Sequence, residues 1–136
     1  MAYEGYLVKI GDFKFPMKYI AEESYEVTPK QRQELDAYRD SAGTLHREVA
    51  PNRPSVVTFE TISGLSNKEV QELFSQIHER YMNEAERKVL VTYYLPETDS
   101  YSDQEEMYIP NMKFPIDCVE ENKVVYNSIA FSFIGY

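Results

Sequence analysis

The sequence has little of what catalytic and metal sites usually require. Its 136 residues include one cysteine, two histidines, five glycines and no tryptophan. His46 and His78 have no His or Cys neighbour at a metal-binding spacing, so we expect both on the surface. No phosphate-binding glycine motif is present, and no G-x-S-x-G elbow marks a nucleophile. We therefore predict no catalytic residue, no cofactor, no metal and no enzymatic activity.

The single cysteine excludes an internal disulfide, so the fold does not depend on an oxidising compartment. Cys118 lies in the apolar run Phe114–Val119, where we expect a buried, inert thiol. The N-terminus lacks the pattern of a signal peptide, and no apolar run approaches the roughly 18 residues that span a bilayer. We expect synthesis in the cytoplasm and no membrane contact.

Basic residues are also scarce. The 14 Lys and Arg are outnumbered by 23 Asp and Glu, and the formal net charge is -9. Tight binding of nucleic acid requires clustered Lys and Arg side chains that contact the phosphates, so sequence-specific nucleic-acid binding is not expected. The acidic segment Asp99–Asp103 lacks the central Gly of a calcium loop, and a solvated loop is the expected structure.

Aromatic residues, by contrast, are abundant, with 12 Tyr and 7 Phe. Tyr combines an apolar ring with a polar tip, which suits both half-buried strand surfaces and protein interfaces. Composition alone leaves both interpretations open.

One helix is well marked. Ser66 and Glu69 form a capping-box pattern, and Leu65 with Val70 can form a hydrophobic staple. Apolar residues then recur at steps of three and four as far as Tyr81, which predicts an amphipathic helix over about residues 66–82 that packs on a sheet.

The rest of the chain predicts short strands. A two-residue turn at Gly11-Asp12 predicts a first hairpin, and Ser55–Thr61 alternates as a strand does. Leu35–Arg39 and Leu45–Val49 favour a polar hairpin, although a short helix over Gln31–Tyr38 is the alternative. A polar tip at Pro96–Asp103 lies between two further predicted strands, Val89–Leu95 and Glu106–Ile109. A turn at Glu121-Asn122 lies between the predicted strands Phe114–Val119 and Lys123–Tyr126. A last strand is expected over Ile129–Tyr136, with Ile129, Phe131 and Phe133 on one face.

These elements indicate a single α+β domain over residues 1–136. We expect a mostly antiparallel β-sheet or a split barrel, with one packed helix. A long hairpin over about residues 89–109 is expected to protrude from it.

Several sequence segments resemble those of a known family. Residues 25–40 (YEVTPKQRQELDAYRD), 43–47 (GTLHR), 86–94 (ERKVLVTYY) and 96–101 (PETDSY) are similar to a family of small, functionally unassigned proteins in tailed phages and prophages of Firmicutes. The resemblance covers most of the chain and implies a tail module. The element pattern also looks like the phage tail-tube fold, which recurs in tube, tail-terminator, distal-tail and baseplate-hub proteins, usually as six-fold rings.

The resemblance implies a structural virion protein in the tail, made in the host bacterial cytoplasm, whose partners are its own copies and other tail proteins. The alternative is a small non-enzymatic binding module or assembly factor. A ring subunit needs strand edges that pair with neighbours. Six residues are candidates for the subunit interface: Leu45, Arg47, Val49, Tyr94, Tyr101 and Tyr108. Five carboxylates are candidates to face a lumen through which DNA passes without sticking: Asp99, Asp103, Glu105, Glu120 and Glu121.

Overall fold

The computed structural model describes residues 3–29, 34–49 and 54–136, with the side chains of residues 34–36 and 48–49 outside that description. The described strands are β1 (Val8–Ile10), β2 (Phe13–Lys14), β3 (Glu26–Thr28), β4 (Glu34–Arg39), β5 (Leu45–Val49), β6 (Val56–Glu60), β7 (Leu65–Ser66), β8 (Lys88–Leu95), β9 (Ser100–Tyr101), β10 (Glu105–Tyr108), β11 (Ile116–Glu120), β12 (Lys123–Tyr126) and β13 (Ala130–Gly135). The helices are α1 (Asn67–His78) and the short 3-10 helices Met17–Tyr19 and Glu22–Ser24. The predicted α+β class, mostly antiparallel with one helix, is confirmed.

The main sheet has the strand order β2-β1-β8-β10-β13-β6-β3, and β9 pairs with the end of β8. Every pairing in it is antiparallel. Within the described part of the chain, β2 and β3 each pair on one side only, so the sheet is open. The split barrel of the sequence-based prediction is not confirmed.

The core lies on one face of this sheet, where alternate residues of the strands are buried. Phe59 and Phe131 face each other in the register of β6 and β13, with ring centroids 5.3 Å apart. Phe133 and Ile129 are fully buried. The predicted apolar face of the C-terminal strand is therefore confirmed, and β13 ties the terminus between β6 and β10.

Helix α1 covers that core face. The Ser66 side chain accepts from the Glu69 backbone N–H while Glu69 reaches back to the Ser66 N–H, which confirms the capping box. The helix ends at His78 instead of near residue 82, because the following chain turns back into the sheet: the Met82 N–H donates to the Lys88 carbonyl over 2.7 Å. Across the described ranges, no helix has both the length and the apolar character that crossing a bilayer demands.

The segment predicted to protrude lies instead inside the main sheet. β8 and β10 do pair, but β1 and β13 flank them, and Val91 and Met107 are fully buried. The polar tip between them folds back, with Tyr94 opposite Tyr101. The physical reason is the apolar side chains along β8, which are buried only if the strand is central.

The feature that stands apart is the β4–β5 hairpin, a two-stranded sheet that pairs with no other described strand. The polar hairpin, favoured over the short helix, is confirmed, with Arg39 opposite Leu45. The Asp40 carboxylate accepts from the Ala42 and Thr44 backbone N–H groups, and Gly43 has a φ of +85°. This local turn chemistry sets the register without help from the core.

The third sheet has the order β11-β12-β7 and lies beside α1. Its hairpin turns at Glu121-Asn122 as predicted. Every side chain of β11 is exposed, including Cys118. The expected buried thiol is therefore wrong, because β11 is an edge strand and its alternating apolar residues have no described layer over them.

Candidate assembly surfaces

The first surface is the β4–β5 hairpin, which carries three of the six candidate interface residues. Leu45 is 45% exposed, Arg47 is also exposed, and the side chain of Val49 lies outside the described part. Tyr38 is 57% exposed and stacks on His46 across the hairpin, with ring centroids 4.9 Å apart. His46 bonds Asp40 over 3.0 Å, and this hydrogen bond lowers the pKa of the Asp40 carboxyl. The hairpin is thus internally ordered and presents apolar side chains to solvent.

The second surface is a tyrosine cluster in which the structure brings Tyr94 and Tyr101 together. Tyr101 stacks on Tyr6 with a centroid distance of 4.5 Å and contacts Tyr94 edge-on at 5.7 Å. Its hydroxyl donates to the Tyr6 carbonyl and accepts from the Glu4 backbone N–H, both over 2.8 Å. The Tyr94 hydroxyl donates to Asp99 over 2.7 Å, and this bond raises the pKa of Tyr94. Both predicted tyrosines therefore have internal partners for their polar tips and for part of their rings, and their role in an interface stays a prediction.

Tyr108 lies outside this tyrosine cluster, on β10 beside Tyr136. Its ring packs edge-on against Tyr136 at 5.4 Å, and the Lys88 ammonium lies 5.0 Å from the centre of the Tyr136 ring. Lys88 also pairs with Glu106 over 3.1 Å. Tyr108 is half-buried on the sheet face opposite the core, so its role in an interface stays a prediction.

The five candidate lumen carboxylates fall in two groups. Asp99, Asp103 and Glu105 lie along the β8–β10 connection, whereas Glu120 and Glu121 lie at the β11–β12 turn in another sheet. Glu105 is half-buried on the core side, with its carboxylate 3.1 Å from the Tyr93 hydroxyl. The other four are exposed. Whether any of them faces a lumen stays a prediction.

Strand β11 is an assembly candidate that the sequence-based prediction missed. Ile116 is 56% exposed and Val119 is 69% exposed, and Phe114 just before the strand is 45% exposed. Phe114 also forms one wall of a cleft of about 470 Å³ beside α1, together with Phe74, His78 and Tyr81. The alternation of Phe114–Val119 indicated a strand but carried no signal for whether another layer covers it.

The described residues offer no obvious chemistry. His46 and His78 are both exposed, as predicted. Among the residues that the structure describes, no three His, Cys, Asp or Glu side chains are arranged to hold a metal ion. The described part of the molecule displays strand edges that no other described strand pairs with, together with exposed apolar and aromatic side chains, and these are features that bind protein.

Comparison with known proteins identifies the family. A family of unknown function, DUF6711, has a model that matches residues 1–136. The chain belongs to this family. Its fold is similar to that of a chain in the tail of an empty gene transfer agent (GTA) particle, a phage-like particle, solved by helical refinement with C6 symmetry. The TM-score is 0.55 at 11% identity, over 99% of this chain and 95% of that one. No curated protein matches.

These comparisons confirm the predicted likeness to an uncharacterised family and the phage tail-like fold. The structural likeness extends over nearly the whole of both chains, so it concerns the complete arrangement of sheets and helix and not one motif. At 11% identity it is a statement about the fold.

Proposed function

We propose that this DUF6711 protein is a structural component of a phage-like tail, in which copies of the chain form a ring. The observation that carries the proposal is the fold shared along almost the full length with a chain of a C6-symmetric tail. A six-fold ring of the tail tube, tail tip or baseplate hub is the assembly we infer, with other tail proteins above and below it.

The surface of the molecule supports this role. A ring subunit must bind its neighbours through strand edges or exposed side chains. When the ring closes, every copy of these surfaces is covered by a neighbour. The β4–β5 hairpin and β11 both offer exposed apolar residues on strands that lie outside the main sheet. The role is structural and requires no catalytic group.

The lumen is part of the same proposal. Exposed carboxylates at Asp99, Asp103, Glu120 and Glu121 would repel the phosphates of DNA and let it pass without adhering. Glu105 contributes less to such a wall, because its carboxylate is held by Tyr93 on the core side.

The test is to locate the chain in particles. An epitope-tagged chain is produced in the cells that make the particles, the tails are purified, and electron microscopy with mass spectrometry asks whether the tag is present in a six-fold ring. Absence of the chain from purified tails would overturn the proposal.

The hairpin gives a sharper test. Leu45→Glu places a charge on an exposed side chain, so the folded monomer keeps its thermal stability while incorporation into tails falls. Met82→Glu is the matched control, because Met82 is 53% exposed and lies outside the hairpin. Equal incorporation of Leu45→Glu and Met82→Glu would remove the hairpin from the interface.

The cleft beside α1 favours a second candidate, a small non-enzymatic binding module or assembly factor acting in tail morphogenesis. Its aromatic walls, Phe74, Phe114 and Tyr81, could hold an apolar side chain of another tail protein. The purification of tails distinguishes the two candidates. An assembly factor would bind a tail protein during assembly and be missing from finished tails.

A further inference from the structure

Strand β11 has the features of an edge that must be covered. It is five residues long, pairs with β12 on one side, and has every side chain exposed. Ile116 and Val119 are more than half exposed. An uncovered apolar edge strand is an aggregation hazard, and proteins that retain one in solution normally use it for pairing.

The charges around β11 make pairing with a second β11 unfavourable. Asp117, Glu120 and Glu121 carry three negative charges on the strand and its turn, and none of them has an ion-pair partner among the described residues. Lys123 faces Glu120 in the hairpin register without forming a salt bridge. Two such strands side by side would juxtapose like charges.

The two edges of the main sheet carry side chains of opposite charge. At one end, Lys14 on β2 faces Lys9 on β1, and both ammonium groups lie over the Tyr6 ring, at 5.1 Å and 5.7 Å from its centre. Neither lysine pairs with a carboxylate in the described ranges. At the other end, Glu26 on β3 is exposed, and the acidic residues Glu22 and Glu23 precede it.

We propose that β11 of one copy pairs with β2, the outer strand of the β1–β2 hairpin, in the next copy in the ring; the outer side of this hairpin is called the β1–β2 edge. The basic edge complements the three free carboxylates, whereas the acidic β3 edge repels them. The β3 edge also has less need of a cover, since its one apolar residue, Val27, is half-buried and packs on the core. The pairing joins two different surfaces of the chain, and such a heterologous contact closes into a ring when the rotation allows it.

This inference rests on the proposed function, and its test uses the exposed Cys118 as a reporter. Two forms of the chain are co-produced in the cells that make the particles, and their tails are purified. One form keeps Cys118. The other carries Lys14→Cys together with Cys118→Ser and a larger tag. A short bis-maleimide then links cysteines that lie close together, and a denaturing gel separates homodimers from heterodimers.

The expected product is the heterodimer between Cys118 and the cysteine at position 14. Glu26→Cys with Cys118→Ser is the matched control on the acidic edge, and it should give no heterodimer with the Cys118 form. A Cys118–Cys118 homodimer or a link from Cys118 to position 26 would each overturn the inference. So would a complete lack of links in tails that contain both forms, although the proposed function would then stand. If neither form enters tails, both fail.

A charge exchange gives a second readout. Lys14→Glu should lower incorporation into tails by about tenfold, because it places like charges together. Adding Glu120→Lys in the same chain should recover most of that loss, while Lys14→Arg should behave as the parent chain. Melting temperatures of the isolated variants show that folding is intact. Failure of Glu120→Lys and of the matching change at Asp117 to restore incorporation would overturn the pairing.

Discussion

Tyr93 makes the core sensitive to alkaline pH in a way that one substitution can isolate. Its side chain is 1% exposed, and its hydroxyl lies 2.8 Å from the Ser55 hydroxyl and 3.1 Å from a Glu105 carboxylate oxygen. Burial, more than any other cause, raises the pKa of Tyr93 to about 12, and the Glu105 charge adds to the effect. Tyr93→Phe removes the hydroxyl and keeps the ring.

Near neutral pH, Tyr93→Phe should lower the free energy of unfolding by about 1–2 kcal/mol, since two hydrogen bonds are lost. That corresponds to a fall in Tm of roughly 4 °C per kcal/mol for a domain of this size.

Alkaline pH reverses the comparison. The unfolded chain loses the tyrosine proton near the ordinary pKa of 10.0, whereas the folded chain keeps it to about 12. The folded state therefore binds more protons in this window, and the parent chain loses stability as pH rises through it. By about pH 11 that loss is roughly 1.4 kcal/mol, and Tyr93→Phe is immune to it. The two stability curves should meet near that pH.

The assay is urea unfolding followed by circular dichroism at a series of pH values between about 7 and 11. Tyr38→Phe is the matched control: Tyr38 is 57% exposed, so its removal should change stability little at any pH. A difference between parent and Tyr93→Phe that stays constant across the series would refute the assignment of the alkaline loss to Tyr93.

Two more predictions concern stability. Ser66→Ala removes the cap of α1 and should lower the free energy of unfolding by about 1 kcal/mol in urea titrations, with Ser66→Asp close to the parent; an unchanged midpoint for Ser66→Ala would contradict the capping box. Gly135→Ala should lower it by about 1–3 kcal/mol in the same assay, because the new Cβ would lie 2.9 Å from the Ser55 backbone nitrogen and 3.2 Å from the Pro54 Cα; a urea midpoint equal to that of the parent would show that the Pro54–Ser55 backbone moves away from β13 at no cost.

Local signals were enough to predict the helix and the hairpins. The capping pair Ser66 and Glu69 marks where α1 begins, and Gly11-Asp12 and Glu121-Asn122 mark two tight turns. Each of these features involves residues close together in the sequence, so their spacing carries the information. Helix α1 ends earlier than helical periodicity predicts, because its end depends on the hydrogen bond from the Met82 N–H to the Lys88 carbonyl, which the periodicity does not contain.

Longer-range features were not predictable from spacing. Alternation along β8 predicts the face on which Val91 lies. It does not contain the information that β1 and β10 flank the strand, so it cannot distinguish a central hairpin from a protruding one. The same limit applies to β11. The pattern of Phe114–Val119 indicates which side chains share a face, while their exposure follows from the absence of a further described layer over the strand. Residue type therefore singled out Leu45 and Tyr94 as interface candidates, and their role stays a prediction. It gave no signal for the exposure of Ile116 and Val119.

Added salt should both strengthen and weaken the association between copies. The first effect dominates at low salt concentration and the second at high salt concentration. Copies with a net charge of -9 repel one another at long range, and raising salt from about 0.01 M to about 0.15 M shortens the screening length from roughly 30 Å to roughly 8 Å. Ion pairs between the β1–β2 edge and β11 act at contact distance, so they are weakened mainly at higher salt. Self-association of the purified chain, followed by light scattering, should therefore rise with added salt to about 0.15 M and fall above it. Lys14→Glu lacks the attractive pairs, so its self-association should be weaker throughout and should only rise. A parent chain that associates best at the lowest salt would show that attraction between the edges exceeds the repulsion even without screening, and the argument from net charge would be wrong.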